Sequence, residues 1–598
     1  MHTAKTIQRV AILLALICAV TGCGLAPDPG ATTSGTGSAG TTPTDPSGTS
    51  TVTGAEPVLN PPGTLPVCEQ TLTLRVLLTK SPHVFSYKAG QNHLTDWLQE
   101  RTNVSVEFLL YEEGEAAAQL EADLSAGADT GDLILIQMDR ATLYRRGSQG
   151  ALLPLNDWID WYGYGMKECL DAFPGSREAI TAPDGNIYAF PKGNLVGLYP
   201  FAYAMRHWIL TDFLDKYEEA TGKGMPATTD EYYAYIKWCV ENDPNGNGCA
   251  DEVGWTGAEK RSVWYARPTD FLMNAFTLTN QDGYYQQDDV IHCAMVEDSY
   301  REGLKYLSKL MEEGLMDPNY PTNDENAIKT LVALEDGRTV ASGSWGGMHN
   351  AATDHRIRND YEIVAPLQGP DGFRNSFYDH YATGVSPGIA TIPATSSKPT
   401  LAVAWMDTMY DQEVYWRGRY GEKDVDWIVP PAGTRAVDGG PALYAWITIN
   451  HSPSYSYWSP TWTPGMWNRY GSYTTQAQPA TDRIGNPIHD LELSLYNATR
   501  LYEEYVIPCA LPPFWFEPDM VEQCAQWKQS IDAYCRQAIT AFILGERDVR
   551  DDAEWDAFVA GARSLGLEEY LAAMQTEYDA LWRGTLPEVY VKRPVRTA

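Results

Sequence analysis

Positive charge is scarce in this chain of 598 residues: 44 Lys and Arg stand against 78 Asp and Glu, a net charge of −34 at pH 7. That balance argues against a nucleic-acid partner, which is held by neutralising its phosphates. It also disfavours long-range attraction of polyanions, so a neutral ligand is the expectation for a small-molecule site. Histidine is scarcer still, with 10 residues, and neither H-E-x-x-H nor C-x-x-C occurs, so zinc hydrolysis lacks its ligands. A Gly-rich phosphate loop is absent too. The string Gly384-Val-Ser-Pro-Gly388 matches the G-x-S-x-G nucleophile elbow, but Pro387 has no N–H to offer an oxyanion. The residues after it, Ile389 to Pro393, read as extended where the elbow needs a helix. Carboxylates are so many that some pair will fall at glycosidase spacing, yet nothing singles one out.

Long apolar runs are missing outside the N-terminus. There, Lys5 and Arg9 precede an apolar stretch from Val10 to Val20 and the small residues Thr21-Gly22. This is the pattern of a secretory signal peptide over residues 1–22, too short to span a bilayer. Cys23 directly after it resembles a bacterial lipobox, which implies a diacylated (palmitate-type) Cys23 as mature N-terminus and sole membrane anchor. Residues 23–66 are Gly, Ser, Thr and Pro with few aliphatic side chains, and read as a flexible tether. The body from Val67 onward is long enough for two domains. Besides Cys18 and Cys23 the cysteines are Cys68, Cys169, Cys239, Cys249, Cys293, Cys509, Cys524 and Cys535. In an exported protein an even count suggests disulfides, with Cys239–Cys249 and Cys524–Cys535 as near neighbours in sequence.

What is present begins with Asp243-Pro-Asn-Gly-Asn-Gly-Cys-Ala-Asp-Glu252. Oxygen ligands fall at Asp243, Asn245, Asn247, the Cys249 carbonyl and Asp251, with Gly248 at the sixth position where an EF-hand loop turns sharply. The twelfth position is Gly254, so Glu252 takes the place of the usual bidentate Glu. The stretch reads as a variant Ca²⁺ loop; a solvated Asn/Gly turn would use the same residue types. Further along, Thr71–Thr79 and Val104–Tyr111 alternate as strands, and 92–101 and 115–126 carry helical periodicity. Leu133 to Met138 is a short apolar run, the mark of a strand buried on both faces. The alternation implies an α/β domain with a largely parallel sheet, followed by a helix-rich remainder.

Several phrases occur in a specific order: Ala126-Gly-Ala-Asp-Thr-Gly-Asp132, Gly150-Ala-Leu-Leu-Pro-Leu155, Pro183 to Pro191, Ala227 to Tyr232, the loop 243–252, Lys398 to Asp407, and Gly566 to Tyr570 with Gln575. In this order the chain resembles the extracellular solute-binding proteins of family 1, lipoprotein receptors of ABC sugar importers, particularly the alginate-oligosaccharide branch. The resemblance implies a two-lobe periplasmic-binding-protein-like fold with a hinge and an interlobe cleft. Residues 67–200 and 380–430 would form lobe 1, and 201–379 and 431–598 lobe 2, with Gly384 and Pro387 at the hinge. It implies structural Ca²⁺ at Asp243, Asn245, Asn247, Cys249, Asp251 and Glu252. The implied function is capture of a carbohydrate, an oligosaccharide, outside the cell by hinge closure, with delivery to ABC permease subunits by a lipid-anchored monomer. A surface glycoside hydrolase and a receptor that senses without transport are the alternatives.

Aromatic residues are plentiful, with 36 Tyr and 19 Trp, and an aromatic plate buries the C–H face of a sugar ring. In the loops that the resemblance places at the cleft, Trp345 in Gly343-Ser-Trp-Gly-Gly347 heads the candidates. Trp208, Tyr378, His380, Tyr381 and Trp427 follow. Asp139 and Arg140 stand after the buried strand, at the carboxyl edge where α/β sheets bind ligands.

Overall fold

The computed structural model describes residues 58–584, apart from 195–203, 379–383, 437–440, most of 447–490 and some shorter gaps. The signal peptide, Cys23 and the tether as far as residue 57 lie outside the described residues, as do His380 and Tyr381.

The first sheet forms where β-branched and leucine residues alternate. Strand β1 (Leu72–Thr79) pairs in parallel with β2 (Val104–Tyr111) along its whole length, and with β3 (Leu133–Leu135) on its other side. Helix α1 (His93–Thr102) starts where the Asn92 side chain accepts the Thr95 N–H, and ends at Asn103 in the left-handed region. Helix α2 (Ala116–Ala126) stops at Gly127, whose φ of 62° suits glycine. The period of two then sorts side chains to opposite faces. Leu74, Val76 and Leu78 enter one core with Leu401, Trp405 and Met406, while Leu77 and Ile134 enter another with Leu120 and Leu143. Helix α3 (Arg140–Ser148) is capped by the Asp139 carboxylate, which accepts the Thr142 N–H.

A separate, larger core surrounds the sheet of β5 (His207–Leu210), flanked on both sides by antiparallel partners, β8 (Ser342–Ser344) and β9 (Tyr361–Val364). The hairpin of β6 (Tyr284–Gln287) and β7 (Val290–Cys293) turns through Asp288 and Asp289, both at positive φ. Gln575 clamps it: its amide donates to the Asp289 carbonyl and its oxygen accepts the Ile291 N–H. The helix Val521–Ile543 and the helices Asp552–Ser564 and Leu567–Leu581 pack here through Phe542, Phe558 and Tyr578.

Two strands carry the chain between these regions. Strand β4 (Pro191–Asn194) leads from the first region toward β5, and β10 (Gly384–Pro387) leads back, paired antiparallel with β4. From the 431–598 segment, Trp458, Trp515 and Val521 sit in the cores around the first sheet. Trp458 donates its Nε1–H to Thr95 Oγ1 and packs edge-on against Phe108. Among the described residues no helix is long and apolar enough to cross a membrane.

The expected disulfides are not formed: all eight body cysteines are free thiols. Cys524 and Cys535 stand on one helix. A rise of about 1.5 Å per residue holds them roughly 16 Å apart, beyond disulfide reach. Cys239 is buried on the helix Thr229–Asn242, whereas Cys249 is exposed on the following loop. Burial pushes the Cys239 thiol up to about 12.

Asp407 shows how two segments far apart in sequence are joined. Its buried carboxylate accepts the N–H groups of Gly165 and Met166 at the start of a short helix. Asp407→Ala should lower unfolding free energy in urea by about 2–3 kcal/mol, because two buried amides lose their acceptor. Asp407→Asn, which keeps one acceptor oxygen, should lose less; equal loss would mean that charge and not amide satisfaction matters here.

Candidate functional site

Topology sets two sheet edges beside the crossing strands. At the first, the segment following β10 lies against β3, where Ile134 exchanges hydrogen bonds with Thr391. Phe85, in the loop leaving β1, is 74% exposed there. Asp139 is exposed and Arg140 half-buried, its guanidinium lying 5.5 Å from the centre of the Trp515 ring. Burial lowers the Arg140 pKa to about 10. At the second edge, the start of β5 lies beside the end of β8, since His207 pairs with Ser344.

Beyond that end, Gly346 is fixed from two sides. Arg206 donates from Nη1 to its carbonyl at 2.5 Å, and its own N–H donates to the Trp264 carbonyl at 2.8 Å. A Cβ at Gly346 would lie 2.2 Å from the Trp264 ring, so only glycine allows this approach. Trp264 and Tyr265 are half-buried, and the His349 ring centre stands 5.9 Å from that of Trp264. Tyr265 has φ 52°, a strained conformation for an aromatic residue and a recurrent mark of binding sites. Trp264, Tyr265 and His349 thus supply an accessible aromatic surface that the sequence did not single out. No local signal marks them, because the positive φ is imposed by packing.

Four of the aromatic candidates are instead core. Trp345 is 0% exposed and meets Tyr361 edge-on, so its ring offers no face to a ligand. Its carbonyl accepts the Trp208 Nε1–H at 2.9 Å, and Trp208 is itself buried. Trp427 is enclosed with Trp416, and its Nε1–H donates to the Gly421 carbonyl. Tyr378 packs in the large core. The reason is steric: flanking glycines let Trp345 fold back on its own strand, where a Cβ at Gly343 would sit 2.2 Å from the indole.

The loop after the helix Thr229–Asn242 has the predicted backbone. Asp243, Gly246 and Gly248 take positive φ, and Asp243 accepts the N–H groups of Asn247 and Gly248. The Asn245 and Asn247 amides turn toward Asp251 at 3.2–3.4 Å. Glu252 is buried, and neither carboxylate oxygen has a partner. Burial raises its pKa, with Asp251 and Asp243 adding to the rise. An orphaned buried carboxylate beside two aspartates fits a cation's demand for oxygen and charge. Among the described residues, no group of three or more His, Cys, Asp or Glu side chains is arranged as a metal cluster. Any ion here therefore draws on amide and backbone oxygens as well.

A family model described as bacterial extracellular solute-binding protein matches residues 94–416. The chain belongs to that family. As a solute-binding protein it is 24% identical over 546 residues to the fructooligosaccharide ABC transporter substrate-binding protein FusA of Streptococcus pneumoniae serotype 4. That match spans 86% of this chain and 91% of FusA. The structure of a FusA EF-hand mutant with fructo-nystose superposes with a TM-score of 0.70 at 22% identity, over 86% of this chain and all of that one. A solute-binding protein associated with an HMO-binding ABC transporter of Bifidobacterium longum infantis gives 0.68 at 18% identity, over 85% and 99% of the two chains. The alginate-binding protein AlgQ2, solved without calcium ion, gives 0.62 at 18% identity, over 86% and 98%. The fold is therefore the two-domain one of this family, and the relatives so named are binding proteins.

His207, at the second sheet edge, tests how rigidly that edge is built. Its ring stacks on Phe271 at 4.9 Å and its Nδ1 meets Ser344 Oγ at 3.1 Å. Burial lowers its pKa from 6.5 to about 3. The unfolded chain takes up the proton first as pH falls, so the contribution of His207 is complete above pH 6.5 and is lost on acidification toward pH 3. The urea stability of the protein should lose up to about 1.4 kcal/mol more per pH unit than that of His207→Gln between pH 6 and 4. Parallel pH profiles would assign the proton uptake to other groups.

Proposed function

We propose that this solute-binding protein encloses a carbohydrate, an oligosaccharide, between its two lobes and delivers it to ABC permease subunits. The observation that carries the reading is the half-buried aromatic cluster of Trp264, Tyr265 and His349 around Gly346. Such plates bury sugar C–H faces while polar groups select hydroxyls. FusA, the HMO-associated protein and AlgQ2 are named for carbohydrate ligands, which supports the same class here. The lobes are 67–200 with 380–430, and 201–379 with most of 431–598, a segment that lends Trp458, Trp515 and Val521 to the first, and hinge rotation falls on β4 and β10, where Gly384 and Pro387 end the returning strand. A ligand that touches both lobes shifts the population toward the closed form. No chemistry on the sugar is required, and the protein acts as a monomer tethered through diacylated Cys23.

Asp243, Asn245, Asn247, the Cys249 carbonyl, Asp251 and Glu252 would hold Ca²⁺. The EF-hand named for FusA supports that reading. The ion would neutralise the carboxylates and brace the loop between its helix and Val253, whose N–H donates to the Thr339 carbonyl.

Trp264→Ala should weaken binding of a fructooligosaccharide such as kestose, or of whichever oligosaccharide binds in a calorimetric panel, by about tenfold or more at nearly unchanged Tm. Trp345→Ala should instead cost about 3–5 kcal/mol of stability. Saturable binding without cleavage is expected, and multiple turnover of labelled oligosaccharide would overturn the receptor reading. For the loop, millimolar CaCl₂ should raise Tm and EDTA reverse it, in the native protein but not in Glu252→Gln; a Ca²⁺-independent Tm would leave the loop as a solvated turn.

A further inference from the structure

Half-buried side chains with a polar end ordinarily cover the stem and keep that end in water. On the helix Gln412–Tyr420 two do the reverse. Gln412 and Trp416 are half-buried, yet the amide oxygen and nitrogen of Gln412 and the indole Nε1–H of Trp416 are shut off from solvent and meet no hydrogen-bond partner. Elsewhere the protein answers such groups: Trp208 donates to the Trp345 carbonyl, Trp427 to the Gly421 carbonyl and Trp458 to Thr95. Trp345 and Trp405 also leave an indole N–H unanswered, but each is a fully buried ring inside a core. Among the described residues, Gln412 is the one side-chain amide with both polar atoms buried and unpartnered.

Four residues apart, Gln412 and Trp416 share one face of the helix, separated by about 6 Å along its axis. The neighbours on either side fix where that face looks. Val414, on the opposite side, enters the core around the first sheet, whereas Tyr415 and Tyr420, which flank the face, enter the larger core. The Trp416 ring meets those of Trp427 and Tyr444, with 5.3 and 5.1 Å between centres. The helix also stands beside the crossing. It packs against the short strand Trp467–Asn468, which pairs with β4. Arg419, on the same face as Trp416, is near enough to Lys192 of β4 to act on it: burial, and then Arg419, lower the Lys192 pKa. The Gln412–Trp416 face thus lies at the junction of the two sets of cores, next to the strand that joins them.

Leaving three hydrogen-bonding atoms buried and unmet is unfavourable, and apolar side chains of similar size would avoid it. Folding therefore does not account for this pair. A ligand does, and the two side chains specify its chemistry. The amide offers two N–H donors and one acceptor oxygen, the indole one donor, and neither group is charged. A hydroxyl both donates and accepts, so neighbouring hydroxyls of one sugar unit answer both residues. A carboxylate only accepts and would leave the Gln412 oxygen unmet.

We propose that Gln412 and Trp416 are specificity-determining residues of the carbohydrate site, holding the hydroxyls of one uncharged sugar unit from the helix between the two sets of cores. This rests on the carbohydrate reading above and adds to it a hydrogen-bonding face on the first lobe. Because the polar atoms are covered in this form, the sugar enters when rotation at β4 and β10 parts the lobes and is enclosed when they close.

The test begins with calorimetry of the full chain against kestose, maltotriose, xylotriose and trigalacturonate, and continues with the neutral sugar that binds tightest. Gln412→Leu and Gln412→Met should each weaken its binding about tenfold or more. Trp416→Phe, which keeps a ring and removes the N–H, should weaken it about threefold or more. The ligand-free Tm of both Gln412 variants, read by circular dichroism, should stay level or rise, because each removes an unmet polar group. A lowered ligand-free Tm in both would mean that the protein or a bound water answers the amide, and would overturn the proposal while the carbohydrate reading stands. Unchanged affinity in the Gln412 and Trp416 variants would do the same, as would binding of trigalacturonate alone. If none of the four sugars binds, the carbohydrate reading fails and this proposal with it.

Discussion

The antiparallel pairing of Pro191–Asn194 with Gly384–Pro387 is the constraint on which the rest of the molecule depends. These two short strands join a sheet ordered β2-β1-β3 to one ordered β8-β5-β9, each with its own cores, while the helix Val521–Ile543 also reaches from one set of cores to the other. Beyond this pairing the returning strand runs on to Thr391, which exchanges hydrogen bonds with Ile134 and so fixes the first sheet against the crossing. Short connections that carry few side-chain contacts also absorb rotation at least cost, while the packed cores on either side move as rigid bodies. The location of the cleft is thus a consequence of chain connectivity before any ligand-binding residue is considered.

Packing then divides the aromatic residues. Most of the large rings close cores: Trp255, Trp345, Trp405, Trp427 and Trp458 are all fully buried. Each contributes more buried area than an aliphatic side chain, and those whose N–H finds an acceptor, as in Trp427 and Trp458, lose little by desolvation. The few left half-exposed at the crossing, Trp264 and Tyr265 above all, are held there by backbone geometry and by a glycine that admits no side chain. Exposure in such a position has an energetic cost that core packing does not repay.

Charge follows a similar logic. A large excess of carboxylates keeps the protein soluble, and most cations are absorbed in ion pairs on the surface, where each contributes little. The informative group is Glu252, buried with neither carboxylate oxygen hydrogen-bonded. Its isolation is not visible in the net charge, since a sum over the chain carries no record of which groups lost their water.

Sequence alone determined the elements and their kind. Alternation in Leu72–Thr79, the buried run at Leu133, the caps at Asn92 and Gly127, and the turn at Gly248 are local patterns, and local geometry realised them. It also placed Asp139 and Arg140 at a carboxyl edge, because that follows from strand direction. Tertiary structure decided which aromatic side chains close the core. Glycines around Trp345 were legible as access for a ligand, yet they serve to fold the indole into the core; Trp264, 81 residues earlier in the chain, is the one left half-buried. The pairing of cysteines was equally open in sequence and was settled by helix geometry, which keeps Cys524 and Cys535 apart. The physical reason is common to all of these: burial and partner depend on contacts between segments distant in sequence, and no periodicity or spacing encodes the distance between them.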